Sequence, residues 1–575
     1  MVFTSPSLAN PLSELLDSIS VAEFISNEAY GRLPCTESRN PFTCGVTGKS
    51  YTTQQVFERE GYLARALSKE LQFDPCDGSE WNRVVAIFSY NTIDYIPLTH
   101  AVHRLNGIVT PASAAYSAPE LKQQLISSGA KALVTCEALL ETALKAARGC
   151  DIPDNHIFLL PLANEKCKAP FKTIDDLVSQ GRELAEVPPL NWARGQGGRQ
   201  VAYLCYSSGT SGLPKAVMIS HRNIIANVLQ MSAHESVPRK EQGILTQAVL
   251  GALPFSHIYG LVPITHVGSF RGDEVIVLPR FDLRQSLSAV ARFKIEQLYV
   301  VPPILVQMLG NRDECRKHNL STVRFVYTGA APLRQETVDS VLELYPNWHI
   351  GQGYGLTETA TVVTSTNELD IYPGSVGTLV PEAKAKLIDD DGDEVTEYNT
   401  PGELYVQSPS VVLGYLGNEK ATAETFVWLD EGRWIRTGDK VEVKLSPSGN
   451  EHFFIVDRIK ELIKVNGHQV APAELEAHLL THPYVADCAV IHVPDDRTGE
   501  LPKAFIVRVK NKSAEGIPDD EARKLIRMYV EEHKARHKWL RGGIEFVETI
   551  PKSPSGKILR RLLQAKGMPS KQAKL

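Results

Sequence analysis

The chain has 575 residues, which at roughly 150 residues per domain predicts two to four domains and a large buried core. Its 61 Lys and Arg against 67 Asp and Glu leave a formal net charge of −6. This mild acidity gives no global attraction to nucleic acid or anionic lipid. With 43% apolar and 22% charged residues, the composition is that of soluble globular domains and excludes disordered and collagen-like classes.

The opening MVFTSPSLANPLSELLDSIS has no basic segment followed by an apolar one, and charge returns at Glu23 and Glu28, so no secretory signal is read. Over residues 52–136, helical and strand patterns alternate. Val56, Leu63, Leu67 and Leu71 share a helical face, VVAIF (84–88) is an apolar strand, Ser117-Ala118-Pro119-Glu120 starts a helix, and KALVT (131–135) is a short strand. Such alternation predicts a mostly parallel sheet with helices on both faces.

The segment YSSGTSGLPKAVMISHRN (206–223) follows the strand-like VAYLC and precedes a helix. Small, hydroxyl-bearing residues let a loop wrap a polyphosphate with backbone N–H and side-chain O–H groups, while Lys215 supplies charge. It is not a Walker A loop, which counted from Gly209 needs Gly at 214 and Ser or Thr at 216, where Pro214 and Ala216 stand. Nor is it a nucleophile elbow, because Leu213 occupies the place of the second glycine.

Residues 243–270 carry no Asp, Glu, Lys or Arg, but Gln247, Ser256, His257, His266 and two prolines make the stretch unfavourable in lipid. It reads as buried core beside a site, and no transmembrane segment is expected. The α/β alternation continues through GALPF, DEVIVLP, QLYVVPP and VRFVYTG. Next, GQGYGLTETA (351–360) sets Thr357 and Glu358 after a glycine-rich turn, a hydroxyl and a carboxylate suited to holding Mg²⁺ on phosphate oxygens.

Past residue 375, short pieces such as AKLID, GELYVQ and EVEVK between Gly, Asp and Pro turns predict a small β-rich subdomain over about 375–456. Within it RWIRTGDK puts Asp439 after a tight turn, where a carboxylate can take both ribose hydroxyls. Beyond it a helix at 472–480, strands at 487–493 and 503–509, a helix at 519–532 and a strand at 544–547 predict a compact α+β unit of domain size. DRIKELIKVNGHQVAPAELE (457–476) and PKSPSGKILRR (551–561) present basic side chains at the junction and on a Gly-bearing loop. Taken singly, each segment has a blander reading as a plain turn or a solvated face. The nine cysteines, odd in number, scattered and without a C-x-x-C pair, indicate neither a disulfide framework nor a zinc site.

Four of these segments, in this order, resemble the adenylate-forming superfamily of acyl-CoA synthetases, luciferases and peptide-synthetase adenylation domains, and the 4-coumarate-CoA ligase and medium-chain acyl-CoA synthetase branch above all. They span residues 203–561, which is 359 of the 575. The resemblance implies an α/β fold. A large N-terminal AMP-binding domain (1–456) of parallel sheets and helices carries the β-rich subdomain, a hinge follows at 457–460, then a small mobile α+β C-terminal domain (461–563) and a flexible tail (564–575).

It further implies that Ser207, Ser208, Gly209, Thr210, Ser211 and Lys215 cradle the ATP phosphates, with Ala216 replacing the Gly usual after that lysine. Gln352, Gly353, Tyr354 and Thr357 match positions that hold adenine and the α-phosphate, and Glu358 matches the Mg²⁺ carboxylate. Asp439 and Arg458 match ribose and phosphate contacts, and Lys460 the pivot. Lys464 and Gln469 match residues that meet the nucleotide or acyl-phosphate in a thioester-forming pose. Lys557 matches the lysine bridging the substrate carboxylate and α-phosphate during adenylation, so that Lys557, Glu358, Thr210 and Lys215 form the implied catalytic set.

His257 and Tyr259 match the acyl pocket, with Gly329, Ala330 and Ala331 on its opposite wall. Without that match, His257 on an apolar segment reads as a core histidine. Small residues at 329–331 leave room for a flat ring or an alkyl chain, which implies a hydrophobic acid, aryl or medium-chain. Arg280 and Gly467 match CoA-contacting positions, while Asn466 stands where plant ligases commonly carry Lys. Nothing resembles a carrier domain, so ATP, Mg²⁺ and free CoA are the implied reactants.

The chain also resembles fungal ligases that activate fatty or aryl acids for secondary metabolism. Ala573-Lys574-Leu575 has the small-basic-Leu form of a peroxisomal signal, approached by Lys566 and Lys571, which implies an import receptor as partner. Two other readings stand beside the ligase. One is an adenylating enzyme that loads a separate carrier protein or, luciferase-like, oxygen. The other is a silent relative used as a scaffold, against which the joint presence of Lys215, Glu358, Asp439, Arg458 and Lys557 argues.

Overall fold

The computed structural model describes residues 1–6, 16–165, 167–207, 214–429, 431–459, 461–465, 468–495, 497–509, 517–553 and 556–567. Ser208, Gly209, Thr210, Ser211, Lys460, Asn466, Gly467 and residues 568–575, with Lys571 and the terminal tripeptide, lie outside them, as does the side chain of Lys566.

The predicted alternation is realised as two largely parallel sheets. One has seven strands in the order Gly414–Tyr415, Lys215–Ser220, Val201–Ser207, Ile108–Ala112, Val84–Phe88, Ala132–Thr135 and Ile157–Leu159, parallel from Val201–Ser207 onward. The other has eight, running Thr378–Leu379, Thr361–Ser365, His349–Leu356, Phe325–Thr328, Gln297–Val300, Ala248–Gly251, Glu274–Val277 and Phe42–Cys44. The helices between them start where the sequence says. A capping box of Thr52 and Gln55 opens Thr53–Leu71, whose buried face includes Val56, Leu63, Leu67 and Leu71. Another, of Ser117 and Glu120, opens Ala118–Ser128, which Gly129 ends at φ +66°.

From Gln247 to Phe270 the stretch is largely core, as expected, but its first four residues are not, and Leu245 is exposed. The strand Ala248–Gly251 is buried, and the wide-turned π-helix Gly260–His266 is buried at every residue. No helix among the described residues is long and apolar enough to cross a membrane.

The β-rich subdomain exists but is stitched into its surroundings. Its antiparallel sheet of Lys384–Ile388, Gly402–Gln407, Gly432–Leu445, Phe426–Leu429 and Glu451–Arg458 gains Phe3–Thr4 from the far end of the chain, with Phe3 opposite Ala385. Thr378–Leu379 and Gly414–Tyr415 leave it for the two large sheets. Local pattern does not show such exchanges, because each is decided by which edge lies nearby.

The C-terminal unit packs Val485–Asp495 and Gly499–Arg508 into a five-stranded sheet with Ile463–Val465, His468–Val470 and Gly543–Phe546. It has its own cores, around Ile463, Leu475 and Ile526 and around Phe505 and Leu563, while the main core ends at Phe453. The helix Arg560–Gly567 runs past residue 563, where the tail was expected. A single short crossing after Glu451–Arg458 joins the two bodies, and the described contacts between them include polar ones. Ala473 N–H donates to Asp457 (3.2 Å), Arg334 to Ala477 O (3.4 Å), and Lys440 to Gln469 (3.2 Å).

Candidate active site

A cleft of about 890 Å³ opens at the carboxyl ends of the parallel strands and is roofed by the C-terminal unit, where open α/β sheets bind ligands. Lys215, Tyr354, Glu358, Asp439, Arg458 and Lys557 all line it.

The glycines of GQGYGLTETA were expected to make a turn. They lie instead in the strand His349–Leu356. A Cβ would lie 2.7 Å from the Phe325 ring at Gly351, 1.9 Å from the Tyr327 hydroxyl at Gly353, and 1.6 Å from the Thr361 carbonyl oxygen at Gly355. Close approach of neighbours, not freedom of φ, is what selects glycine here. The strand delivers Thr357 and Glu358 into a short 3₁₀ turn, followed by Ala360 at φ +49° and Thr361 at φ +125°. A β-branched residue at positive φ is strained. Thr361 is held there in part by its hydroxyl, which donates to Ile258 O at 3.2 Å.

Asp439, expected after a tight turn, sits within the long strand Gly432–Leu445 at a bulge. Glu403 faces Lys440 while Tyr405 faces Arg436, and Gly438 adopts φ +71°. The extra residues re-aim a side chain. Asp439 lies opposite Arg458 in the register, is 3% exposed, accepts from the Tyr354 hydroxyl at 2.6 Å and pairs with Arg458 Nε at 3.3 Å. Burial raises the Asp439 pKa against the opposing pull of Arg458. For Arg458 burial acts downward, but Asp439 and Glu461 outweigh it and raise the pKa.

Lys557 is anchored to Ser553. Ser553 N–H donates to Lys557 O (2.8 Å), Gly556 N–H to Ser553 O (2.8 Å), and Gly556 takes φ +80° beside Pro303 of the large domain. The half-buried lysine is pushed down to about 8, first by burial and then by the like charge of Arg458, with Glu461, Asp439 and Glu358 opposing.

The phosphate-loop segment returns as an antiparallel hairpin, Ser207 opposite Lys215, so a strand, Lys215–Ser220, intervenes before the helix His221–Glu241. Ser207 and Thr357 line the cleft beside Lys215 and Glu358. Tyr415, which the sequence reading missed, joins the last two. Its hydroxyl donates to Glu358 at 2.9 Å, and Lys215 Nζ lies 4.5 Å from its ring centroid. The only signal for it was an aromatic between glycines in LGYLG, which punctuation alone explains.

On the acyl side, His257, Tyr259, Gly329 and Ala330 line the cleft with Tyr327, and Ala331 does not. His257 is depressed to about 4, by burial and then by the Lys557 charge, and so is neutral. Tyr259 donates to Tyr327 O at 2.9 Å, forming a fixed aromatic wall. Gly353 lines the cleft, but Gln352 stands behind it. Its side chain accepts from Leu333 N–H (3.0 Å) and donates to Ser375 O (3.3 Å). Lys464 and Gln469 are exposed and off the lining. Gln469 is held by Lys440 and Asp390, each at 3.2 Å. Arg280 is exposed too, its guanidinium 5.7 Å from the Tyr90 ring.

The family described as AMP-binding enzyme matches residues 35–416, and the AMP-binding enzyme C-terminal domain matches residues 474–557. The acyl-CoA ligase easD of Emericella nidulans is 40% identical over 571 residues, covering 98% of this chain and 100% of the relative. The acyl-CoA ligase AKT1 of Alternaria alternata is 42% identical over 570 residues, covering 98% and 97%. Among solved structures, the anthranilate CoA ligase AuaEII in complex with anthranoyl-AMP superimposes with a TM-score of 0.78 at 23% identity, over 96% of this chain and 98% of that one. At that identity the likeness concerns the fold.

Proposed function

The chain belongs to the AMP-binding enzyme family, and from that premise we propose that it is an ATP-dependent acid–thiol ligase. In this reading it converts a hydrophobic carboxylic acid, aryl or medium-chain, to its acyl-adenylate and passes the acyl group to CoA, releasing AMP and pyrophosphate. The observation that carries the reading is Lys557 standing in the cleft with Glu358, Asp439 and Arg458.

The acid's carboxylate oxygen attacks the α-phosphorus of ATP, the bond to the bridging oxygen breaks, and pyrophosphate departs. Negative charge accumulates as one anion attacks another, and the Lys557 ammonium is aimed where it accumulates. Neutral His257 adds no charge beside the carboxylate. Asp439, fixed by Tyr354 and Arg458, offers a carboxylate to the ribose hydroxyls.

Glu358 and Thr357 present one carboxylate and one hydroxyl, and no group of three or more metal-type side chains gathers among the described residues. That donor set fits Mg²⁺, which is usually held by one or two carboxylates together with substrate phosphates. When bound it would neutralise phosphate charge.

In the second step a thiol attacks the acyl carbonyl and AMP leaves. The Lys557 loop roofs the cleft, so the small domain must turn about its single crossing to admit the thiol, and the hairpin bearing Lys464 and Gln469 is the strip available to replace it. Its separate cores and the polar contacts between the two bodies suit rigid-body motion.

The Tyr259 and Tyr327 rings beside Gly329 and Ala330 support an apolar acid, and fungal relatives named acyl-CoA ligases support CoA as acceptor. Incubation with ATP, Mg²⁺, CoA and a panel of aryl, medium-chain and long-chain acids, read by mass spectrometry, is expected to yield a CoA thioester of one class. AMP and pyrophosphate without thioester would assign the acyl group to another acceptor, and no turnover on any acid would favour the silent relative. We also propose peroxisomal delivery through Ala573-Lys574-Leu575. A fluorescent fusion ending in that tripeptide is expected in peroxisomes, and a diffuse signal would remove the proposal.

A further inference from the structure

Lys215 and Glu358 carry opposite charges on one cleft wall, yet no ion pair joins them. Tyr415 contacts both. The Lys215 ammonium lies 4.5 Å from the ring centroid, and the ring hydroxyl donates to Glu358 Oε1 at 2.9 Å. Tyr415 is 6% exposed, and its backbone is clamped. Tyr415 opposes Val217 in the sheet, its N–H donates to Thr422 Oγ1 at 3.0 Å, and Leu416 N–H donates to Ala216 O at 2.9 Å. Just upstream, Val412 N–H donates to the Glu358 carbonyl at 3.1 Å, and Arg433 donates to Val412 O and Leu413 O at 2.7 and 2.9 Å. The segment is thus tied both to the turn bearing Glu358 and to the strand bearing Lys215.

We propose that Tyr415 is a positioning residue for the nucleotide, holding a cation and a carboxylate apart so that a polyphosphate with its divalent ion can enter between them. A lysine and a glutamate free to meet in a partly buried cleft attract strongly, and ligand binding would first have to separate them. A cation–π contact is weaker than that pair and readily exchanged for phosphate oxygens. The hydroxyl meanwhile holds Oε1 of Glu358, a residue that lines the cleft. The inference rests on the cleft being the ATP site.

Calorimetric titration of the full chain with ATP, with and without Mg²⁺, separates the two roles. Tyr415→Phe keeps the ring and loses the hydroxyl. ATP affinity without Mg²⁺ is expected within about twofold of the parent, while the gain in affinity on adding Mg²⁺ falls about tenfold, the scale of one hydrogen bond to a charged group. Tyr415→Leu removes the spacer, lets Lys215 reach Glu358, and is expected to weaken ATP about tenfold even without Mg²⁺. An unchanged Mg²⁺ gain in Tyr415→Phe overturns the proposal, as does equal weakening with and without Mg²⁺ alongside a lowered melting temperature. Failure of the parent protein to bind ATP overturns the ATP-site reading itself, and this inference with it.

Discussion

Replacing Lys557 by alanine is expected to slow acyl-adenylate formation by about 10²–10³-fold, the scale of removing one preorganised charge-stabilising donor. Thioester formation from a supplied acyl-adenylate should stay within about twofold. The asymmetry follows from the proposal that Lys557 acts only in the pose in which its loop, held by Ser553 and Gly556, fills the cleft. Equal loss of both half-reactions would remove the assignment.

The same lysine sets a pH limb. Its pKa lies near 8 because burial and Arg458 disfavour the charged form. The ammonium is therefore present below pH 8 and lost above it, roughly tenfold per unit. That fall belongs in kcat/KM for adenylation, which reports the free enzyme, and not in the second half-reaction. Lys557→Arg, whose guanidinium keeps its charge, should move the limb out of range, and a limb that stayed would belong to another group.

Gly355→Ala is expected to destabilise the large domain by about 3 kcal/mol or more, at or beyond the upper end of ordinary overpacking. The new methyl would meet only backbone, the Thr361 carbonyl oxygen at 1.6 Å and carbon at 2.5 Å and the Val362 Cα at 3.0 Å. The paired strands would have to part, and the turn bearing Thr357 and Glu358 would move with them. Gly310→Ala, at a helix end with nothing within 4 Å, is the control, expected to be neutral or slightly stabilising. Urea denaturation read alongside ATP binding checks both, and equal midpoints for the two variants would contradict the close approach.

The elements that the sequence made legible are those whose cause is local. The capping boxes at Thr52 and Ser117, the apolar run at 84–88 and the proline-started helix Pro472–Leu479 need only neighbours a few residues away. Lys215, Glu358 and Asp439 were legible as chemistry from their short motifs, Arg458 and Lys557 only through the resemblance to adenylate-forming enzymes, and the fold brings all five to one cleft. What failed was geometry with a distant cause. The glycines at 351, 353 and 355 answer to Phe325, Tyr327 and Thr361, and the bulge aiming Asp439 answers to Glu403 and Tyr405. Tyr415 touches residues far from it in sequence, and no periodicity points to it.

The pairing of Phe3–Thr4 with Lys384–Ile388 bears on how the chain is made. A ribosome adding about 5–20 residues per second needs roughly 20–80 s to travel from the first strand to its partner, and Phe3, 1% exposed in the finished fold, has no seat in that sheet until then. Phe3–Thr4 can thus be secured in that sheet only after about two thirds of these 575 residues have been added.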